Sequence, residues 1–509
     1  MNTTNEPVST RIPIVFNGEP ADVAAGVANA MASARAAQTR WAGTSLNRRL
    51  ELIRELRRLI AEHADSLAEA SASARNRPAV ESLLAEVLPL AEACRFLERE
   101  AEAILRPRRL GRRGLPLWLS GVRSEIQREP YGVILVIGPG NYPLLLPGVQ
   151  LVQALVAGNA VLLKPGIGGT ASAGKLVELV ARAGFDPHLA TVLPESSAAA
   201  RLAIAARPDK VIFTGSAATG KIILGQLAEE IIPATMELSG CDAVIVRDDA
   251  DLDLVVKALT FGLTLNHGAT CMAPKRVFVS AAQATELEGR LAQVFSDNSQ
   301  CQRADATVPA ELQTLVEEAH TLGAHRIAGE IRADGTARLP LVLGGVAPAS
   351  QLLRADLFAP VLALVTVTDD HEAVQRANDC PYALAASIFS RDEAVARALA
   401  TRITAGSVCI NDLIIPTADA RLPFGGRGDS GFGVTRGAEG LLELTTPKAI
   451  SVSRNNFRPA FETPQAGDQA MFSAYLNLTH GRSWKCRWRA LVSLIQNVSR
   501  RKKASRKNL

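Results

Sequence analysis

The chain has 509 residues, too many for one ordinary core, so two or three domains are expected. It is 47% hydrophobic and 21% charged, with 4% aromatic residues. That excludes a disordered chain and suits helices packed on sheets better than a β-sandwich. The net charge of +5 is local: ten Lys or Arg and no acid follow Gly481, leaving 46 basic against 51 acidic residues elsewhere, so no nucleic-acid-binding body is expected.

The periodicity predicts an amphipathic helix over Asn47–Ala72, with Leu50, Ile53, Leu56 and Ile60 on one face. A second helix follows over Glu81–Ile104, and Ser120–Glu129 reads as an edge strand or hairpin. From Tyr131 short apolar runs alternate with helical stretches. Strands are expected at Val133–Ile137, Ala160–Lys164, Thr191–Leu193 and Lys210–Phe213. Helices are expected from the 138–143 loop to Val156, and at Ser172–Ala183, Ser197–Ala206 and Gly220–Glu229. A second such pattern runs from Gly240 to about Gly426, with strands at Ala243–Val246, Arg276–Val279, Val361–Val367 and Ala386–Phe389. Thr446–Ser453 reads as a late edge strand. The fold class expected is α/β, with two doubly wound parallel-sheet domains. The loops 138–143, 164–169 and 214–220 then fall at carboxyl ends of strands, where such sheets bind ligands.

Two residue types stand out within residues 236–275: the carboxylate Glu237 and the thiol Cys271, 34 positions apart among small residues. A thiol can carry a covalent acyl intermediate, and a carboxylate can activate the water that releases it. Taken singly, Glu237 reads as well as a surface acid, and Cys271 as a small core hydrophobe. The seven Cys residues (94, 241, 271, 301, 380, 409 and 486) show no CxxC or metal-ligand spacing. They imply free thiols in a reducing compartment and no metal. Met1–Thr10 is polar, without the apolar core of a signal segment, and no run approaches ~18 apolar residues. A cytoplasmic protein is expected.

Eight motifs, in order from Arg40 to Ser453, resemble those of the aldehyde dehydrogenase superfamily that uses a Cys nucleophile and NAD(P). They are P-G-N-Y-P (139–143), V-L-L-K-P (161–165), F-T-G-S (213–216) with Gly220, and M-E-L-S-G (236–240). N-H-G-A-T-C (266–271), L-F-A-P-V (357–361), P-Y-A-L-A-A-S-I-F-S-R-D (381–392) and L-P-F-G-G-R-G-D-S-G-F-G (422–433) complete the set. The resemblance implies Cys271 as nucleophile, Glu237 as deacylating base, and the Asn141 amide with the Cys271 N–H as oxyanion donors. It implies NAD or NADP as cofactor, held by Lys164, Thr214, Gly215, Ser216, Gly220, Asp356 and Phe358. Residues 1–117 and 130–239 would bind cofactor, and 240–439 would form the catalytic domain. Strands in 118–129 and 440–455 would build a homodimer, and 456–509 would be a linker and tail. The departures are Gly140 for the usual Trp, Ile167 for a Glu facing the ribose 2′-OH, Asp356 for Glu, Ala269 for Gln and Cys241 for Lys or Asn. A missing Trp suggests a wider substrate tunnel, and a missing Glu suggests tolerance of NADP. The expected reaction is oxidation of an apolar aldehyde to its acid. Semialdehyde oxidation, coenzyme A acylation and a quiet scaffold are the alternatives.

In the tail, Trp484, Trp488, Leu491, Val492, Ile495 and Val498 recur at helical spacing, with Lys485, Arg487 and Arg489 off that stripe. Arg500–Lys503, Arg506 and Lys507 follow. Residues 484–507 thus suit an anionic membrane surface, at the inner face of the membrane, but are too short and charged to span it. Some shorter members of the resembling family also carry membrane-directed tails. A solubilising tail, or a helix packed on a partner subunit, fits the same pattern.

Overall fold

A computed structural model describes residues 20–505 except 117, 118, 120, 298–302, 333, 455–460 and 462. Met1–Thr10, Cys301, Arg506 and Lys507 lie outside the described residues, as do the expected segment ends at 117, 118, 455 and 456. The chain forms two compact units, Met1–Pro107 with Gln127–Lys448, and Arg108–Ile126 with Ala449–Leu509.

The first unit contains two large sheets and a two-stranded one, Tyr382–Ala383 with Arg427–Gly428. One of the large sheets has the order Gly431–Phe432, Ala234–Leu238, Lys210–Gly215, Val133–Ile137, Ala160–Lys164, Ala190–Val192. The other five strands form four parallel pairs, and only Gly431–Phe432 pairs antiparallel. Val133–Ile137 is buried at every position, because helices cover both faces. The chain leaves this strand toward Ala160–Lys164 on one side and returns to Lys210–Gly215 on the other, so a topological switch point lies at the end of Ile137. The other sheet runs Arg303–Thr307, Thr336–Gly344, Val361–Val367, Pro274–Ser280, Asp242–Val246, Ala385–Phe389, Ser407–Ile410, with His325–Ile331 paired to Thr336–Gly344. Its central pairs are parallel, and a separate apolar core lies on each face. The doubly wound α/β expectation is thereby met.

Three local expectations are corrected. The single helix over 47–72 is two, Leu46–Glu62 and Ala64–Arg75, broken at His63 (φ −106°, ψ 20°). No Gly or Pro marks that break; the two helices bury different stripes, Leu50 to Ile60 and then Leu67, Ala68, Ser71 and Ala72. The 81–104 helix starts at Ala79 and includes a π-helical turn, Leu83–Val87, that turns Glu86 inward to full burial. Thr214 and Gly215 belong to the strand Lys210–Gly215 and not to a loop, because they pair with Glu237 and Leu238. An N-terminal helix, Pro20–Ala42, was not anticipated; its buried residues Val23, Val27, Ala30, Met31, Ala34, Ala37 and Trp41 include three small Ala.

A three-stranded sheet in the order Arg108–Leu110, Val122–Pro130, Thr445–Ser453 lies mostly in the second unit, with 127–130 and 445–448 in the first; Val122–Pro130 is its middle strand and not the expected edge, because it pairs on both sides. The second unit also holds the packed helices Asp468–His480 and Trp484–Ser505, which bury Met471, Ala474 and Ala490 against each other.

Candidate active site

Glu237 sits one residue from the end of Ala234–Leu238, between strand partners Thr214 and Gly431. Both neighbours matter. Thr214 Oγ1 donates to Glu237 Oε2 at 2.9 Å, and Gly431 is so close that a Cβ would lie 2.0 Å from Met236 O. Gln150, on the helix Leu145–Ala157, donates to Oε2 at 3.1 Å, and the Thr435 hydroxyl binds Oε1. Burial pushes the carboxyl above its ordinary range; the Thr435 bond, the Arg436 charge and the Thr214 and Gln150 bonds pull it partly back. Gln150 Oε1 is buried beside it with no partner among the described residues.

Cys271 follows a 3-10 turn, Leu265–Gly268, with left-handed residues: Asn266 at φ +50°, His267 at +55° and Gly268 at +73°. A Cβ on Gly268 would overlap Pro360 at 2.6 Å, and Asn266 donates through its amide to Asn141 O (3.0 Å) and Ala269 O (3.1 Å). The turn is thus held in place from both sides. A Cβ on Gly240 would lie 2.6 Å from Cys271 O, so the E-L-S-G segment abuts the Cys271 loop directly. Burial pushes the Cys271 thiol up to about 12; nearby Asp242 and Glu237 add to this, while Arg436 opposes it. The Cys271 backbone N–H donates to no acceptor among the described residues.

Asn141 lies at the switch point. Its amide donates to Ala269 O at 3.1 Å, and its Oδ1 accepts from the Tyr142 N–H at 3.0 Å. One amide hydrogen therefore ties the 138–143 loop to the Cys271 loop, and the other is left over. Tyr142 and Thr270 join their hydroxyls at 2.7 Å across the same seam.

Sequence reading missed the framework behind these groups. Glu86, fully buried, is ion-paired with Arg77 and accepts from the N–H groups of Leu144 and Leu145 at 2.8 and 3.0 Å. A carboxylate thus caps the helix that carries Gln150. Glu81 accepts from the Asn266 N–H at 2.7 Å. Arg436 was missed as well. It is 9% exposed, its guanidinium lies 4.8 Å over the Phe424 ring, and it donates to Thr417 O at 2.8 Å. Its backbone, at φ +61° and ψ 172°, occupies a region almost reserved for Gly, a strain of ~1–3 kcal/mol. Gln153 grips both sides of that kink, accepting from Arg436 N at 3.2 Å and donating to Gly437 O at 3.3 Å. The neighbouring cavity, ≈ 10 Å³ or about one water, is lined by Arg436, Gln153 and the apolar Pro89, Phe96, Leu145 and Val149.

The residues expected to hold a dinucleotide lie at the carboxyl edge of the first sheet or beside it. Lys164 ends Ala160–Lys164; it is 8% exposed, burial pulls its amine down, and Nζ donates to no acceptor among the described residues. Ser216 caps the helix Ala217–Glu230, whose free N–H groups suit a pyrophosphate. Gly220 is required by packing, since a Cβ would meet Leu238 at 2.7 Å. Gly215 likewise has Phe213 at 2.4 Å. Thr214 spends its hydroxyl on Glu237. Ile167 is 82% exposed, with no carboxylate in its place. Asp356, raised by burial, is hydrogen-bonded to Ser239, and Phe358 is half exposed. A buried ammonium with no ion pair among the described residues and a helix N-terminus fit an anionic dinucleotide, while Glu195 stands at the same edge, accepting from the Gly168 N–H at 2.9 Å. At Gly140, a Cβ would point to Ile167 O at 3.1 Å. The bare Gly140 thus lets the 165–169 loop pack closely against the 138–143 loop, and the expected wider substrate tunnel gains no support from it.

Comparison with known proteins places this geometry. A model of the aldehyde dehydrogenase family matches residues 15–450. A 4,4'-diapolycopene aldehyde oxidase from Methylomonas sp is 31% identical over 465 residues, 89% of this chain and 86% of the relative. A protein of Mycolicibacterium smegmatis, provisionally named succinate-semialdehyde dehydrogenase [NADP(+)], is 32% identical over 88% of this chain and 89% of its own length. Betaine aldehyde dehydrogenase from Staphylococcus aureus, solved with NAD+, superposes with a TM-score of 0.77 at 25% identity, covering 86% of this chain and 92% of that one.

Proposed function

The chain belongs to the aldehyde dehydrogenase family and is an NAD(P)-dependent aldehyde dehydrogenase, and from that premise we propose that it oxidises an apolar aldehyde, medium- or long-chain or aromatic, to the free acid. The observation that carries the release as acid is Glu237, a buried carboxylate raised toward neutrality and aimed by Gln150, Thr214 and Thr435. Coenzyme A-acylating members generally lack such a base. For the apolar class, the support is a 31% identical relative named for diapolycopene aldehyde.

In this reading the Cys271 thiolate bonds to the carbonyl carbon, and the carbonyl π pair moves onto oxygen. That oxyanion accepts from the Cys271 N–H and the spare Asn141 amide hydrogen; one such donor is worth ~10²–10³ in rate. The thiohemiacetal becomes a thioester by loss of hydride, the chemistry NAD(P)+ supplies when bound. Lys164, Ser216, Gly215 and Gly220 would hold its adenosine and pyrophosphate side, with Thr214 beside them, and Asp356 and Phe358 its nicotinamide side. Glu237 then takes a proton from water, the water oxygen bonds to the acyl carbon, and the carbon–sulfur bond breaks to return the Cys271 thiolate. Both NAD+ and NADP+ are accepted, since no carboxylate at Ile167 repels a 2′-phosphate.

Formation of reduced nicotinamide with a panel of octanal, dodecanal, benzaldehyde and succinate semialdehyde tests this, with product identified as acid or acyl-CoA. Apolar aldehydes turned over to acid, and lost in Cys271→Ala, support it. Preference for succinate semialdehyde, which the mycobacterial names favour as a second reading, would sink the apolar class. We also infer a homodimer, paired along the exposed outer strand Thr445–Ser453, in the cytoplasm at the inner face of a membrane. Sedimentation of the intact chain as a monomer would refute the dimer.

A further inference from the structure

We propose that Arg436 is a positioning residue, the fixed counter-cation for the anionic forms of Cys271 and Glu237; this rests on the catalytic reading of that pair. Its neighbours tie it to both. The preceding residue, Thr435, binds Glu237 through its hydroxyl. Its guanidinium lies over Phe424, which forms with Met272 and Leu384 the apolar cluster against which Cys271 packs.

Arg436 is nine-tenths buried, yet it ion-pairs with no carboxylate among the described residues, and its side chain makes one hydrogen bond, to Thr417 O. A buried cation left without a counter-ion is costly, and the cost falls when an anion forms beside it. The catalytic cycle supplies such anions in turn: the thiolate before attack and the Glu237 carboxylate before deacylation. Among the described residues the groups acting on Cys271 include the acids Asp242, Glu237 and Tyr142, and Arg436 is the cation that opposes them. It acts on both members of the pair, opposing the burial that raises the thiol and the carboxyl.

The backbone argues the same way. At φ +61° and ψ 172° glycine would sit without strain, and Gln153 would still hold the kink through backbone groups. A long charged side chain there has to be required by what its far end does. Arginine suits the task because it cannot lose its charge, whereas a buried lysine can.

The test is the pH dependence of Cys271 alkylation by iodoacetamide in the intact enzyme, read site by site by mass spectrometry. Alongside it go the pH profile of turnover and the melting temperature. Arg436→Met and Arg436→Gly should each displace the alkylation curve to higher pH by about one unit, ~tenfold slower at fixed pH. Arg436→Lys should hold the curve at neutral pH and lose it as the amine deprotonates. Arg436→Gly relieves the backbone and should melt no lower than the parent, which separates charge from folding. Alkylation curves of the Met and Gly variants that superimpose on the parent curve would overturn the proposal, whatever happens to turnover. So would a defect confined to KM for succinate semialdehyde with alkylation unchanged, which would make Arg436 a substrate-anion contact. The catalytic reading fails separately, if Cys271→Ala still forms reduced nicotinamide.

Discussion

In the proposed reaction Cys271 and Glu237 have opposite needs. The thiol must lose a proton before attack, and the carboxylate must be free to take one afterwards. Burial disfavours the anion of both, raising the thiol to about 12 and the carboxyl above its usual range. The reactive thiolate is therefore the minor form in the cofactor-free enzyme, and its fraction grows with pH through the whole neutral range. Alkylation of Cys271 in that state should rise ~tenfold per unit between roughly pH 7 and 10 without a plateau; a plateau near neutrality would show a lower thiol pKa than this environment allows. For Glu237 the sign is reversed in role: the base works when deprotonated, so deacylation should weaken as pH falls through the raised pKa. Glu237→Gln keeps the side-chain shape and removes the base. It should leave a stoichiometric burst of reduced nicotinamide in stopped flow while steady-state turnover falls ~10²–10⁴-fold. Loss of the burst itself would move Glu237 into the acylation step.

The elements that aim these groups come from far apart in the chain, and that separation decides what could be read from sequence. Motifs along 139–143, 213–216, 236–240 and 266–271 carry local chemistry and were legible as short patterns, as were the buried strands they follow. Gln150 and Glu237 lie 87 residues apart, and Glu81 and Asn266 lie 185 apart; no periodicity connects them. Glu86 reads in sequence as an ordinary helical acid, because a π-helical turn leaves no pattern of its own. Arg436 reads as one more surface cation. Two substitutions test the aiming. Glu86→Ala strands Arg77 as a buried charge and uncaps the helix bearing Gln150, and should cost about 3–5 kcal/mol in denaturant unfolding. Gly240→Ala drives a Cβ to 2.6 Å from Cys271 O and 2.7 Å from Asp242 Oδ1. Overpacking of that kind costs ~1–3 kcal/mol, and here it displaces the nucleophile. Activity should fall more than stability, measured as turnover against melting temperature; equal losses would show a packing role alone.

At the scale of the whole chain, charge and apolar surface are segregated. Residues before Gly481 carry an excess of acid, and the ten basic residues after it have no acid among them. The helix Trp484–Ser505 buries Ala490 against the helix Asp468–His480, yet leaves Trp484 (77%), Trp488 (57%) and Ile495 (58%) exposed. The stripe legible in sequence is therefore not a packed core face. Trp484 and Trp488 stack on each other at 5.9 Å in the open. Among the described residues no helix is long and apolar enough to cross a membrane. Exposed Trp beside Lys485, Arg487 and Arg489 instead matches the interfacial pattern, in which rings enter the headgroup layer and cations meet anionic lipid. Each such cation contributes about 1 kcal/mol near an anionic surface, and that part is screened by salt while ring insertion is not. Flotation of the intact protein with phosphatidylserine-rich vesicles should therefore be strong at low salt and reduced at high salt. Joint replacement Lys485→Glu, Arg487→Glu, Arg489→Glu should abolish the salt-sensitive part, and Trp484→Ala with Trp488→Ala the salt-resistant part. Turnover of a water-soluble aldehyde should be unchanged in both, because these residues lie in the second unit while Cys271, Glu237 and Asn141 lie in the first. Flotation unaffected by either replacement would remove the tail from the membrane and leave it a partner-packing or solubilising helix.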